Sequence, residues 1–131
     1  MVAGRATQLD HMTRGRFMLG VGPGALVGDA YRMGIDPEAQ RRMMNESLDV
    51  IVPLLEGERV SARTDWFTLE KAKLQHASYT RPRMEMAVTS IRSPAGALLA
   101  GRYGLGLLSL GGHSDEALAA YAKNWGIYEE T

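Results

Sequence analysis

Residues 81–112 read RPRMEMAVTSIRSPAGALLAGRYGLGLLSLGG, and the fold turns on this stretch. Residues 84–89 form a short, mostly apolar run, with Arg-Pro-Arg before it and Ser, Arg and Pro after it. Residues 105–110 form a second apolar run between glycines. Between them stand Ser93 and Pro94, followed by small and aliphatic residues. Serine as N-cap with proline at the first helical position is a strong helix start. The pattern predicts strand, helix, strand. Strands joined by a crossover helix are parallel, and the crossover is right-handed. Ligands of such sheets sit beyond the carboxyl ends of the strands. Here that end is Thr89-Ser90-Ile91-Arg92-Ser93, which leads straight into a helix start.

That placement suggests chemistry. Backbone N–H groups at a helix start, together with the helix dipole, favour an anion. Thr89, Ser90 and Ser93 add hydroxyls, and Arg92 adds a positive charge. One reading is a phosphate cradle. The other is that Ser93 merely caps its helix and its neighbours are solvated loop residues. From the local sequence both stand.

The totals narrow the field. A chain of 131 residues is one domain or a piece of one. It is 45% hydrophobic, enough for a core, and its 15 basic residues balance its 15 acidic ones. Zero net charge leaves no electrostatic footprint for nucleic acid or an anionic membrane. There is no cysteine, hence no disulfide framework and no thiolate chemistry. The first residues carry no signal-peptide core, and no apolar run approaches the ~20 residues of a membrane span. The expectation is a soluble cytoplasmic protein. The three histidines, His11, His76 and His113, have no partners at metal or triad spacing, so no metal site and no catalytic base are assigned.

Residues 2–12 predict a helix, stopped at Gly15 as its left-handed terminator. No capping box precedes it, and the chain reads as if it began inside a larger unit. Residues 16–21 are strand-like and end at Gly22-Pro23-Gly24. The glycines from Gly20 onward are a poor dinucleotide fingerprint, because the third glycine is missing. A long loop is expected over 25–35. Asp36 and Pro37 open the next helix, with Met44, Leu48, Ile51 and Leu55 as its apolar stripe, Pro53 as a bend and Gly57 as its end. Residues 59–69 predict a hairpin around Thr64-Asp65, pinned to the body by Trp66 and Phe67. Ser114 caps a last helix, with Leu118, Tyr121, Ala122, Trp125 and Tyr128 on one broad face. Alternating strands and helices around parallel strands mean α/β. Three core strands cannot close a barrel, which takes about 250 residues.

The blocks LDHMTRGRFMLGVGPG, RRMMNESLDVIVPLLEGE, DWFTL, MEMAVTSIRSPAGALLAGRYGLGLLSLG and EALAAYAKNWGIYEE carry a resemblance. In this order they resemble the middle of the bacterial luciferase-like monooxygenases, and among them flavin-dependent terpene-type hydroxylases. The resemblance covers almost the whole chain. It implies a fragment, residues 1–131, of a single (β/α)8 TIM-barrel domain, about barrel strands four to six with their helices and a small hairpin insertion. It implies reduced FMN as cofactor, or a deazaflavin in some branches, and oxygenation of a small organic, terpene-like substrate by O2. A flavin reductase would be a partner.

The resemblance also implies a site. The loop after the fifth barrel strand binds the flavin phosphate, which gives Thr89, Ser90 and Ser93. The turn after the fourth strand lies along the flavin, which gives Gly22, Pro23 and Gly24. Some relatives place a basic phosphate ligand near that turn. Pro23 stands at the matching position here, so Arg92 or a group outside the chain would supply the charge. Ser109, at the end of the sixth strand, faces the same cavity. A second reading comes from a different class: a non-catalytic module, truncated, that holds flavin or associates through open sheet edges as a homo-oligomer.

Overall fold

The apolar runs around the Ser-Pro pair fold as their local chemistry dictates. The structure, a computed structural model, describes residues Met1 to Thr131. Its elements are α1 (Val2–Thr13), β1 (Met18–Val21), α2 (Val27–Arg32), a 3₁₀ turn (Pro37–Ala39), α3 (Gln40–Leu55), β2 (Val60–Arg63) and β3 (Thr68–Ala72). They continue with β4 (Glu85–Ser90), α4 (Ala95–Tyr103), β5 (Gly106–Ser109) and α5 (Asp115–Glu130). The chain divides into two units. One holds Met1–Phe17 and Pro23–Met84; the other holds Met18–Gly22 and Glu85–Thr131.

The second unit carries the parallel sheet. β4 lies between β1 and β5, and both pairings are parallel. Val21 is opposite Val88, and Ser90 is opposite Ser109. Met86, Ala87 and Val88 of β4 are all buried. A strand covered on both faces needs apolar side chains on both, which is why this run shows no alternation. α4 is the crossover from β4 to β5, and it buries Ala97, Leu99 and Ala100. Gly104 ends it in the left-handed conformation, at φ 59°.

The last helix starts as its sequence predicts. Ser114 Oγ accepts from the Ala117 N–H at 3.2 Å, with Asp115 and Glu116 in the first turn. Its packed face is not the expected one. Ala117 and Asn124 are buried, whereas Leu118 and Trp125 are about half exposed. The reason is a close helix crossing. A Cβ on Gly101 of α4 would stand only 3.1 Å from the Tyr128 carbonyl oxygen of α5. Where backbones approach so closely, small side chains fit and bulky ones are turned outward.

In the first unit α1 packs on α3. α3 buries Leu48, Val50, Val52, Leu54 and Leu55, so the expected stripe is widened in its second half. The helix runs through Pro53 to Leu55. It closes with a Schellman motif: Gly57, at φ 88°, donates to the Leu54 carbonyl, and Glu58 donates to that of Pro53. Asp36 caps the 3₁₀ turn instead of α3 itself, accepting from the Glu38 N–H at 3.0 Å. The expected loop over 25–35 contains the short helix α2. Its Gly28 and its lack of a side-chain cap hid it from a propensity reading.

The hairpin forms around Thr64 as expected, and Trp66 does tie it down. Trp66 Nε1 donates to Glu46 Oε2 of α3 at 2.6 Å, and Arg42 grips both carboxylate oxygens of Asp65. Hydrogen bonding to that guanidinium holds the Asp65 carboxyl below its ordinary range. Ser61 alone faces Glu70 and Lys71, so the bulge lies in β3, and the Lys71 N–H donates to the Ser61 hydroxyl.

α1 ends differently from its expected form. Arg14, not Gly15, is the residue that leaves the helix in the left-handed conformation, at φ 53°. Gly15 follows at φ 80°. A side chain with a Cβ is strained there, so Arg14→Gly is expected to stabilise the fold by about 0.5–1 kcal/mol. A urea melt with a raised midpoint and an unchanged slope is the expected result.

Candidate anion and cofactor site

Thr89 and Ser90 close β4, and pairing with β5 continues just beyond them. The Leu110 N–H donates to the Ser90 carbonyl at 2.8 Å. The Ser90 side chain is only 4% exposed. Its Oγ accepts from Asn124 Nδ2 at 3.0 Å and donates to the Ser93 carbonyl at 3.4 Å. Asn124 Nδ2 also approaches that carbonyl, at 3.5 Å. Ser93 Oγ accepts from the Ala95 N–H at 3.3 Å.

These bonds explain a shift of the helix start. Pro94 occupies the cap position and α4 opens at Ala95, where the sequence predicts Ser93 as cap and Pro94 as first residue. The Ser93 carbonyl faces side-chain donors. The first turn of α4 is closed by the Leu98 N–H on the Pro94 carbonyl, at 3.0 Å. The N–H groups of Gly96 and Ala97 precede that bond, at the positive end of the helix dipole.

Two glycines shape the place. A Cβ on Gly22, after β1, would clash with Thr89 Oγ1. A Cβ on Gly96 would stand 2.5 Å from the Thr89 carbonyl oxygen and 3.1 Å from Ser90 Cβ. Missing side chains thus let the β1 end and the α4 start close in on the β4 end. Arg92 lies on the surface and pairs with Glu116 at 3.2 Å. Both side chains are well exposed, so the pair is weak and the guanidinium can change partners.

The structure therefore gathers Gly22, Thr89, Ser90 and Ser93 around one turn, with Arg92 following Ser90 in the chain. Ser109 is exposed and sits opposite Ser90 in the β4–β5 register. Pro23 and Gly24 belong to the first unit, where Gly24 has φ 88° and a Cβ on it would stand 2.9 Å from Gln40 Nε2. Sequence reasoning missed Gly96 and Asn124. A glycine as the third residue of a predicted helix was a signal for the first. Nothing local marks the second.

The histidines lie elsewhere. His11 bonds the Ala77 carbonyl at 2.8 Å and meets the Tyr79 ring edge-on, and His76 and His113 are exposed. His11 and His76 border a cleft of about 630 Å³ in the first unit, with Thr7, Gln8 and Leu74 among its walls. None of the residues singled out in the sequence as cofactor contacts lines it.

A parallel sheet whose middle strand runs on through a turn into a crossover helix defines an α/β protein. The sequence profile of the luciferase-like monooxygenases matches residues 1–126, and the chain belongs to that family. It is 46% identical over 130 residues to limonene 1,2-monooxygenase of Rhodococcus erythropolis, covering 99% of this chain. It is 50% identical over 126 residues to 4-hydroxyprotoasukamycin monooxygenase of Streptomyces nodosus subsp. asukaensis, covering 92% of this chain. The chain spans 33% and 34% of the length of these relatives. A crystal structure of a monooxygenase from Streptomyces bottropensis superposes with a TM-score of 0.86 at 21% identity, over 98% of this chain and 39% of that one. An F420-dependent secondary alcohol dehydrogenase with an F420–acetone adduct superposes with a TM-score of 0.74 at 24% identity, over 98% of this chain and 40% of that one. The fold is thus a part of a barrel, with β1, β4 and β5 as adjacent strands. No helix is long and apolar enough to cross a membrane.

Proposed function

We propose that this chain supplies the flavin-phosphate corner of a monooxygenase that uses reduced FMN and O2 on a small organic, terpene-like substrate. The observation that carries the reading is the β4 end running through Ser93 and Pro94 into the start of α4. Two things about the corner fit a phosphate. The N–H of half-buried Gly96 precedes the helical ladder, and the turn itself contains no carboxylate. In the proposed complex the Gly96 N–H and the Ser93 and Thr89 hydroxyls bind the phosphate. Arg92 leaves Glu116 to add charge, and Ser90 shapes the turn from within. Gly22 keeps the β1 end free of a side chain beside Thr89. Bound flavin supplies the oxygen chemistry, and the protein orients it and its substrate. A flavin reductase in the same compartment, the cytoplasm, delivers the reduced cofactor.

The names of the two curated relatives support oxygenation, and their different substrates leave the substrate class broad. A deazaflavin is the second cofactor reading, motivated by the F420-dependent structural neighbour. The test is equilibrium titration of the purified protein with FMN and with riboflavin, which lacks the phosphate. FMN is expected to bind about tenfold tighter or better, the scale of charge-assisted hydrogen bonds to one group. Added inorganic phosphate should weaken FMN and leave riboflavin unchanged. Equal affinities would overturn the site. In a full-length barrel that contains this corner, FMN binding without turnover in the presence of a reductase would favour the non-catalytic module.

A further inference from the structure

We propose that Asn124 of α5 is the positioning residue of this cradle, an inference that rests on reading the β4–α4 turn as a phosphate site. Asn124 is 1% exposed, among the most deeply buried polar side chains of the chain. Both of its hydrogen bonds go to the turn, one to Ser90 Oγ and one to the Ser93 carbonyl. Ser90 Oγ closes the third side by donating to the same carbonyl. The three groups form a triangle that turns the Ser93 carbonyl inward.

The consequence lies on the other face of the turn. With the Ser93 carbonyl drawn toward Asn124, exposed Ala95 and half-buried Gly96 form the outer edge of the turn, at the start of α4. A carbonyl left free to swing outward would place a partial negative charge where the phosphate binds. Asn124 thus removes a competing acceptor without touching the ligand.

Packing alone does not call for an amide here. Asn124 Oδ1 is buried with no protein partner, and an unpaired buried polar atom is costly. An apolar side chain would avoid that cost. The amide is explained by its two bonds to the turn. Gly101 lets α5 come close enough to reach: a Cβ there would meet Thr131 Cβ at 2.6 Å.

The test compares wild type with Asn124→Leu, which keeps the γ-branched shape with a larger side chain and removes the donor. Three quantities are read: FMN affinity, riboflavin affinity, and amide hydrogen exchange at Ala95, whose N–H is bonded to Ser93 Oγ. The expected result is a fall in the FMN-to-riboflavin affinity ratio of about tenfold, with riboflavin binding unchanged. Exchange at this amide should quicken about tenfold while amides of β4 keep their protection. A variant that keeps both the wild-type ratio and the wild-type exchange overturns the proposal. Equal losses for both ligands also overturn it, because they show a fold defect. If wild type itself does not distinguish FMN from riboflavin, the phosphate reading falls first, and the positioning role falls with it. Should Asn124→Leu not fold, Asn124→Ser tests the same points, since its shorter hydroxyl cannot reach both acceptors.

Discussion

Gly96→Ala is expected to destabilise the protein by about 2–3 kcal/mol, although it places a better helix former in a helix. At an open helical site the same change stabilises by about 1 kcal/mol. The sign reverses here because the new Cβ would stand 2.5 Å from the Thr89 carbonyl oxygen. That neighbour is backbone of the central strand, held by pairing on both sides, and cannot swing away. The start of α4 must shift instead, and the N–H groups of the cradle shift with it. FMN affinity should therefore fall along with stability. Gly126→Ala in α5 is the control, since nothing lies within 4 Å of its Cβ position. It should raise stability by up to about 1 kcal/mol. Urea unfolding of both variants measures the contrast. Equal stability of Gly96→Ala and wild type would mean that α4 does not seat on β4 as described.

Asp10→Ala should cost about 3 kcal/mol. Asp10 is completely buried at the end of α1. Its Oδ2 accepts from the Thr80 N–H and its Oδ1 from the Thr80 hydroxyl, both at 2.9 Å. Bonds to a carboxylate contribute about 1.5–3 kcal/mol, and the alanine leaves the Thr80 N–H without its acceptor. Asp10→Asn keeps the shape and one acceptor oxygen, so about half that loss is expected. Thr80→Val removes only the hydroxyl and should cost about 1 kcal/mol. A double-mutant cycle between Asp10→Ala and Thr80→Val isolates the pair. Additive effects would show that the two side chains do not act on one another.

These two substitutions mark where local reading stops. The sequence by itself determined the strand–helix–strand unit of residues 84–110, because apolar runs, a Ser-Pro start and Gly104 act within a few residues of themselves. It determined the hairpin at Thr64 and the Ser114 cap for the same reason, and the block resemblance placed the strands in a barrel. Propensity and capping are short-range, so a window of sequence holds all the information they need. Tertiary structure alone decided the rest. The Ser90–Asn124 bond spans 34 residues and the Asp10–Thr80 pair spans 70, and no local pattern encodes either partner. The face of α5 was decided in the same way. Its alanines, Leu118 and Trp125 allow more than one apolar stripe, and the close crossing at Gly101 selected the side with Ala117 and Asn124. A hydrogen bond or a backbone crossing exists only once distant segments meet, so its choice of residues is settled by the assembled chain.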